Sequence, residues 1–380
     1  MIEETNIAYY QQEHRGDFSL MAKELVVKIC SLEEPVPLRI VFFGSAASEE
    51  EYILRFKKLK QTVCSLPYKI CPVVNFVAMP PFECALAAEV TFVRKEIKIT
   101  PHEKGLIIET SMGREMVTEG IGAADGKTIF AKGEKIFSFV HKILDGCNMK
   151  PFNIVRQWNY IEHITFERDN LQNYQQFNDA RSVFYNSSIW PHAYPAATGI
   201  GAFGGGVVVE LNALVPREGV KVVPIDNKLQ VAAHHYSQRV LAGKTPQTEQ
   251  KSTPKFERAK MIACTNGYKL YISGTAAIRG EQSLGEMGVV QQASVTMENI
   301  KELLSASQQS YTKLFKAIVL PPRLLHLRVY VRNPEDFPLV RNYITANYPT
   351  VPTLYLQADI CRRELLIEIE GTAISIQKHE

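Results

Sequence analysis

The chain has 380 residues, 46% of them hydrophobic and 22% charged, which is the balance of a globular protein and excludes a disordered one. Lys and Arg number 43 against 40 Asp and Glu, a formal net charge of +3; this excludes a broad basic field for nucleic acid or an anionic membrane, so any anion the protein recognises is small and locally bound. No stretch approaches the roughly 20 apolar residues that span a bilayer, and the opening MIEETN is polar and acidic, so a cytoplasmic location is expected.

A chain of this length is expected to form two domains of roughly 150–200 residues. LRIVFFGS and VVNFVAMP alternate as strands do, and EEEYILRFKKLKQTV between them has helical spacing. After LIIET and the Gly-rich GIGAADGKTIFAKG, a helix is predicted from about Lys135 to Leu144. VRQWNYIEHI follows as a strand, NLQNYQQFNDARSVFYN as a helix, and VVVELNAL as a closing strand. The same order recurs in KLYISGTAAI, VTMENIKELLSAS, LLHLRVYVRN, DFPLVRNYITANY, VPTLYLQADI and LLIEIEGTAI.

Glu210-Leu211-Asn212 then lies over Glu368-Ile369-Glu370, with Pro195 and Pro352 fifteen and sixteen residues ahead of the two glutamates. An internal duplication is the simplest account. The expected fold class is α/β (α+β), two similar fused lobes, each a mixed sheet packed by helices. The expected domains are a first lobe over 1–215, a connecting segment over 216–255 rich in Pro, Gly, Lys and Thr, and a second lobe over 256–380.

The seven cysteines are odd in number and lack a CxxC pair, so reduced thiols and no structural zinc are expected. His234 and His235 lack a third ligand at metal spacing, and Gly199, Gly201 and Gly204 form a GxGxxG without the strand and helix of a dinucleotide site. No cofactor or metal is therefore expected. Trp158, Tyr160, Tyr185 and Tyr194 are expected to pack between lobes.

The second half, through ISGTAAI, VTMENIKELL and LLIEIEGTA, resembles the reactive-intermediate deaminases. The arginine with which imine deaminases of that family hold a substrate carboxylate, just after the proline, is replaced by Thr353, which argues against imine hydrolysis. Over nearly the whole chain VRQWNYIEHI, YQQFNDARSVFY, YPAATGIG, PKFERA, ISGTAAI and ADICRRELLIEIE resemble the motifs of the chorismatases, whose two fused lobes are similar to the deaminase fold. That resemblance implies cleavage of the enolpyruvyl ether of chorismate to pyruvate and a small aromatic carboxylate, with no cofactor and with chorismate as the small-molecule partner. AMPP at 78–81 stands where those relatives read AQPP, a change that bears on packing.

Cleaving an enol ether requires a proton delivered to its methylene carbon, and a carboxylic acid with a raised pKa supplies one at neutral pH. Alternation puts Glu368 and Glu370 on one face of an otherwise apolar strand. That face is either the solvent side of an edge strand or a buried functional pair; the resemblance favours the second, because both families place a functional glutamate at the position of Glu368. A dianionic substrate calls for cationic clamps, and Arg258 and Arg181 are the candidates. Thr198 and Gly199, in the glycine-rich YPAATGIG, are read as pocket residues. Gly274 and Thr275, in ISGTA, belong with them. The resemblance further implies that Gly274 and Cys361 help decide the product and match the hydroxybenzoate-forming type. The 3-hydroxy isomer is expected, with the 4-hydroxy isomer or the dihydroxycyclohexadiene carboxylate as alternatives. Outside this class the alternatives are an enamine or imine deaminase and a regulatory metabolite-binding protein. A monomer or a small homo-oligomer is expected.

Overall fold

The computed structural model describes residues 4–12, 16–30, 35–66, 68–123, 126–168, 171–241 and 250–377. In chain order the elements are β1 (Thr5–Gln11), α1 (Phe18–Cys30), β2 (Val36–Gly44), α2 (Glu49–Cys64), β3 (Val73–Ala78), β4 (Leu86–Val93), β5 (Ile99–His102), β6 (Gly105–Glu109), β7 (Gly113–Thr118), β8 (Ile121–Gly122) and α3 (Ile129–Gly146). Then come β9 (Ile154–Glu162), β10 (Glu167–Arg168), β11 (Leu171–Gln172), α4 (Asn173–Asn186), β12 (Ala196–Ala202), β13 (Val207–Pro216), β14 (Lys221–Ile225), β15 (Ala259–Cys264) and β16 (Gly267–Ala276). The chain ends through β17 (Ile278–Arg279), β18 (Gln282–Ser283), α5 (Val289–Phe315), β19 (Arg323–Val331), α6 (Phe337–Asn347), β20 (Thr353–Gln357) and β21 (Ile367–Ile376).

The main strands form three sheets, ordered β3-β2-β4-β1, β12-β9-β13-β7-β6-β5 and β20-β19-β21-β16-β15-β14. Written this way they superimpose strand for strand. In each, one pair is parallel (β2 with β3, β9 with β12, β19 with β20) and the next strand inward is antiparallel. The duplication expected from Glu210 and Glu368 is thus visible in the topology, and it extends to a third copy. Residues 1–215, read from the sequence as one lobe, supply two sheets, and among the described residues the first lacks the two outer strands of the others. The connecting segment over 216–255 contributes β14 to the third sheet and two short 3₁₀ turns, Ala233–His235 and Gln238–Val240. Its residues 242–249 lie outside the described residues.

Alternation along the strands explains the layering. Ile40 and Phe42 of β2, Val207 and Val209 of β13, and Ile367 and Ile369 of β21 face the helices of their own lobes and join separate cores. Their neighbours Val41, Phe43, Tyr160 and Tyr330 turn inward to a further core shared by all three sheets. Met79 of the AMPP segment is fully buried there, a packing position. Trp158 and Tyr160 sit between the sheets as expected, whereas Tyr185 packs inside the second repeat, built on β9, β12 and β13, and donates to Gln157 Oε1 at 2.9 Å.

The register places Arg39, Arg156 and Arg328 at one equivalent position, and Glu89, Glu210 and Glu368 at another. Each arginine reaches into the next lobe: Arg39 Nη1 to Asn212 at 3.0 Å, Arg156 to Glu370, and Arg328 to both oxygens of Glu89 at 2.6 and 2.5 Å. The expectation of reduced thiols fails at one pair, because Cys64 at the end of α2 and Cys71 ahead of β3 form a disulfide. Among the described residues no helix is long and apolar enough to cross a membrane.

Candidate active site

The cleft between the second and third sheets collects the titratable side chains of the sequence pattern. Strand β21 is a central strand, flanked by β19 and β16, so Glu368 and Glu370 are buried at 4% and 2% exposure instead of facing solvent. Glu370 is fully engaged. It accepts from Arg156, from the Thr198 hydroxyl, from Trp158 Nε1 at 3.0 Å and from Tyr330 Oη at 3.0 Å, and Arg328 Nη1 lies 3.1 Å away. Burial raises its pKa, but Arg156 and then Arg328 outweigh that, and the net shift is downward.

Glu368 lines the cleft, and among the described residues it has no hydrogen-bond partner. Burial first, and the charge of Glu370 second, push it up to about 8, against the pull of Arg156 and Arg258. It therefore carries a proton at neutral pH. Gly274 makes room for it. The register of β16 against β21 shifts between Ile272 and Thr275, a bulge that turns Gly274 toward the acid. A Cβ there would collide with Glu368 Oε1 and lie 3.0 Å from Thr198 Cγ2. The Gly274 N–H donates to Thr198 Oγ1 at 2.9 Å, tying the two lobes together at the acid.

Arg258, just ahead of β15, lines the same cleft. Its Nη2 donates to Val231 O and to Tyr236 Oη, both at 2.6 Å, and its buried Nε has no partner among the described residues. Cys361, in the loop before β21, lines the cleft as well; burial and then Glu368 push its thiol up to about 12, so it is a neutral thiol. Gly199 lines the cleft from β12 and packs against the Tyr174 ring.

Three other predicted residues stand behind the wall. Thr198 is spent on Glu370, Arg156 and Gly274. The Thr275 hydroxyl donates to Ser273 O at 2.8 Å. Arg181 is buried on α4 and donates to Asn178 Oδ1 at 2.6 Å, and it is Asn178 that faces the cleft.

The sequence reading missed Tyr174, Asn178, Tyr236 and Arg362, all of which line the cleft. Arg362 donates from Nη1 to Glu281 O at 3.0 Å and Ser283 Oγ at 2.9 Å, and its guanidinium lies 5.2 Å from the Tyr236 ring centroid. The doubled arginine of CRRELL was the available signal. The cleft thus combines a neutral carboxylic acid, two guanidinium groups and a neutral thiol around a wall of Tyr174, Phe256, Leu365 and glycine backbone. Such a set can bind a small dianion and deliver one proton to it. Among the described residues no group of three His, Cys, Asp or Glu side chains is placed to hold a metal ion.

Residues 98–213 match the family model described as "Chorismatase FkbO/Hyg5-like, N-terminal". The chain is 35% identical over 221 residues to a chorismatase of Streptomyces hygroscopicus, covering 57% of this chain and 60% of that protein. It is 32% identical over 231 residues to a 3-hydroxybenzoate synthase of the same organism, covering 58% and 64%. The match thus spans a little under two thirds of those relatives' lengths. A crystal structure of a chorismatase superimposes over 97% of this chain and 98% of its own, with a TM-score of 0.70 at 21% identity, a likeness of fold. The resemblance to chorismatases drawn from the dispersed sequence motifs is borne out by these matches.

Proposed function

We propose that this chain is a chorismatase that converts chorismate to pyruvate and a hydroxybenzoate. The observation that carries the reading is Glu368, a buried carboxylic acid protonated at neutral pH, facing a cleft that also holds Arg258 and Arg362. Two guanidinium groups suit the two carboxylates of chorismate. Arg258 and Arg362 take that role in this reading, and Arg181 acts through Asn178.

Glu368 gives its proton to the methylene carbon, the alkene electrons forming the new C–H bond while the ether oxygen stabilises the resulting cation. Water adds to that cation and returns a proton to Glu368. Collapse of the hemiketal breaks its bond to the ring oxygen and releases pyruvate, leaving the dihydroxycyclohexadiene carboxylate. Loss of one water from the ring then gives the hydroxybenzoate. Ionised Glu370 has two functions here: it keeps the Glu368 proton in place by repulsion, and it anchors Arg156 and Thr198 beside the acid.

The 3-hydroxy isomer is favoured by the Gly274 and Cys361 pair and by the name of the 3-hydroxybenzoate synthase relative. Incubating the purified protein with chorismate and separating the products by chromatography tests the reading. Pyruvate with 3-hydroxybenzoate is the expected result. Unchanged chorismate overturns the reading, and the dihydrodiol or the 4-hydroxy isomer as main product overturns the isomer assignment.

A further inference from the structure

We propose that the cleft between the first and second sheets is a second ligand site, built for a small uncharged aromatic molecule bearing an amide or phenol group. The proposal rests on strand register and cavity shape and is independent of the chemistry at Glu368.

The two clefts correspond residue for residue. Glu210 pairs with Trp158 across β13 and β9 as Glu368 pairs with Tyr330 across β21 and β19. Asn75, which pairs with Val41, occupies the place of Thr198, which pairs with Trp158. Gly120 donates its N–H to Asn75 Oδ1 at 2.6 Å, just as Gly274 donates to Thr198 Oγ1. Tyr52 in the first turn of α2 matches Tyr174 in the first turn of α4.

What differs is satisfaction and charge. At the Glu368 cleft the inner carboxylate Glu370 absorbs the arginines, but here Asn212 stands in its place and takes only Arg39. Glu210 is fully buried, and among the described residues its oxygens have no close hydrogen-bond partner, only a longer contact to Asn75, whose Nδ2 is buried and otherwise unpaired. Unsatisfied buried groups of this kind are costly, and folded proteins rarely leave them together. Burial, opposed by Arg39 and Arg328, raises Glu210 to about 7, so the carboxyl both donates and accepts near neutrality.

A cavity of about 170 Å³ is lined by Asn75, Tyr52, Phe76 and Val208 among others, and Glu210 reaches it only through Asn75. Val208 lies two residues before Glu210 and so shares its face of β13. The stacked rings of Tyr52 and Phe76, 5.4 Å apart, offer an aromatic wall. Register puts the buried Leu106 in the place of Arg258, and among the described residues neither Arg nor Lys lines the cavity while Glu49 does. An anion is disfavoured there. A planar neutral ring that offers an acceptor to Asn75 Nδ2 satisfies the open group that lines the cavity.

Crystals soaked in parallel with 4-bromobenzamide and 4-bromobenzoate test this by anomalous scattering from bromine. The expected result is bromine between Tyr52 and Val208 with the amide only. Bromine from the amide solely at the Glu368 cleft, or nowhere, overturns the site, and equal occupancy by the benzoate overturns its neutral preference. In solution, ¹⁹F line broadening of 4-fluorobenzamide gives an affinity that Asn75→Leu weakens at least tenfold. Because Asn75→Leu also removes the bond to Gly120, Ile53→Trp provides a second test. Ile53 lines the cavity at 43% exposure on the surface of α2, where a larger ring blocks entry without disturbing the core. Unchanged affinity in the folded Ile53→Trp variant overturns the proposal.

Discussion

Glu368 and Glu370 stand two residues apart on the same inward face of β21, and the fold holds them in opposite protonation states. The cause is the distribution of partners: two arginines, a threonine, a tryptophan and a tyrosine converge on Glu370, and none of them bonds to Glu368. Pushing two neighbouring carboxyls apart in pKa is how a site keeps an acid ready at neutral pH.

Glu368→Gln should keep the volume and lose the proton. Pyruvate release falls by on the order of 10²–10⁴, as read by a coupled assay. The variant should also melt higher than the parent at pH 7. A carboxyl raised to about 8 in the fold binds a proton that the unfolded chain releases, so ionisation of the unfolded state opposes folding between the unfolded pKa and about 8. Glutamine removes that term, which is on the order of 3 kcal/mol at pH 7. The gain should vanish near pH 4, and a variant with parental turnover takes Glu368 out of the mechanism.

The pH dependence of kcat/KM follows from the same group. Activity should be level up to pH 7 and fall tenfold per unit well above pH 8, as the acid ionises. A rate that keeps rising through pH 9 assigns the proton to another group.

Arg258→Lys separates charge from geometry. Lysine keeps the cation but loses the planar fork, so KM should rise or kcat/KM fall by roughly tenfold with little change in melting temperature. Arg362→Lys should behave alike, because both guanidinium groups line the cleft. Parental kinetics with a lower melting point makes either arginine structural.

Cys361→Ala should change the product ratio more than the turnover. In the proposed reaction the ether proton comes from Glu368, and the neutral thiol lines the same cleft, where the later loss of water from the ring would be sensitive to a polar neighbour. The check is a chromatographic ratio at matched pyruvate yield. An unchanged ratio leaves Cys361 a packing residue.

Glu89→Gln should cost about 3–5 kcal/mol, because it leaves Arg328 buried with its main partner gone. Burial opposes ionisation of Glu89, but Arg328 holds it down to about 2. Its contribution is therefore complete above the unfolded carboxylate pKa and drains away as pH falls toward 2. Denaturant titrations at pH 7 and pH 3 should show the difference between parent and variant shrinking in acid.

The sequence reading reached the elements of the second and third repeats because strand alternation and helical spacing are local properties. It read β2, α2 and β3 of the first repeat as elements but did not recognise them as a repeat, because among the described residues the two outer strands are absent there and Glu89 follows Pro72 by seventeen residues rather than fifteen or sixteen. Side-chain direction was the harder matter. Arg181 and Arg362 have equal claim as cations in the sequence, yet helix phase turns Arg181 onto Asn178, and the loop before β21 turns Arg362 into the cleft. The pairing of Cys64 with Cys71 was likewise out of reach, since it depends on how the α2 to β3 connection folds back.

The threefold likeness of the sheets has a consequence for what mutation can do. In a homotrimer one substitution alters all three interfaces at once, since symmetry copies every change. Here the equivalent positions are encoded separately, and they already differ: Thr198, Asn75 and Leu356 share one place in the register, and Glu370, Asn212 and Thr91 share another. One interface can gather arginines around a proton donor, another can line its cavity without a cation, and the third can close on itself through Tyr9 and His326, whose atoms Oη and Nδ1 lie 2.7 Å apart. A single polypeptide thus lets each interface take a separate chemistry while the other two hold the three sheets in place.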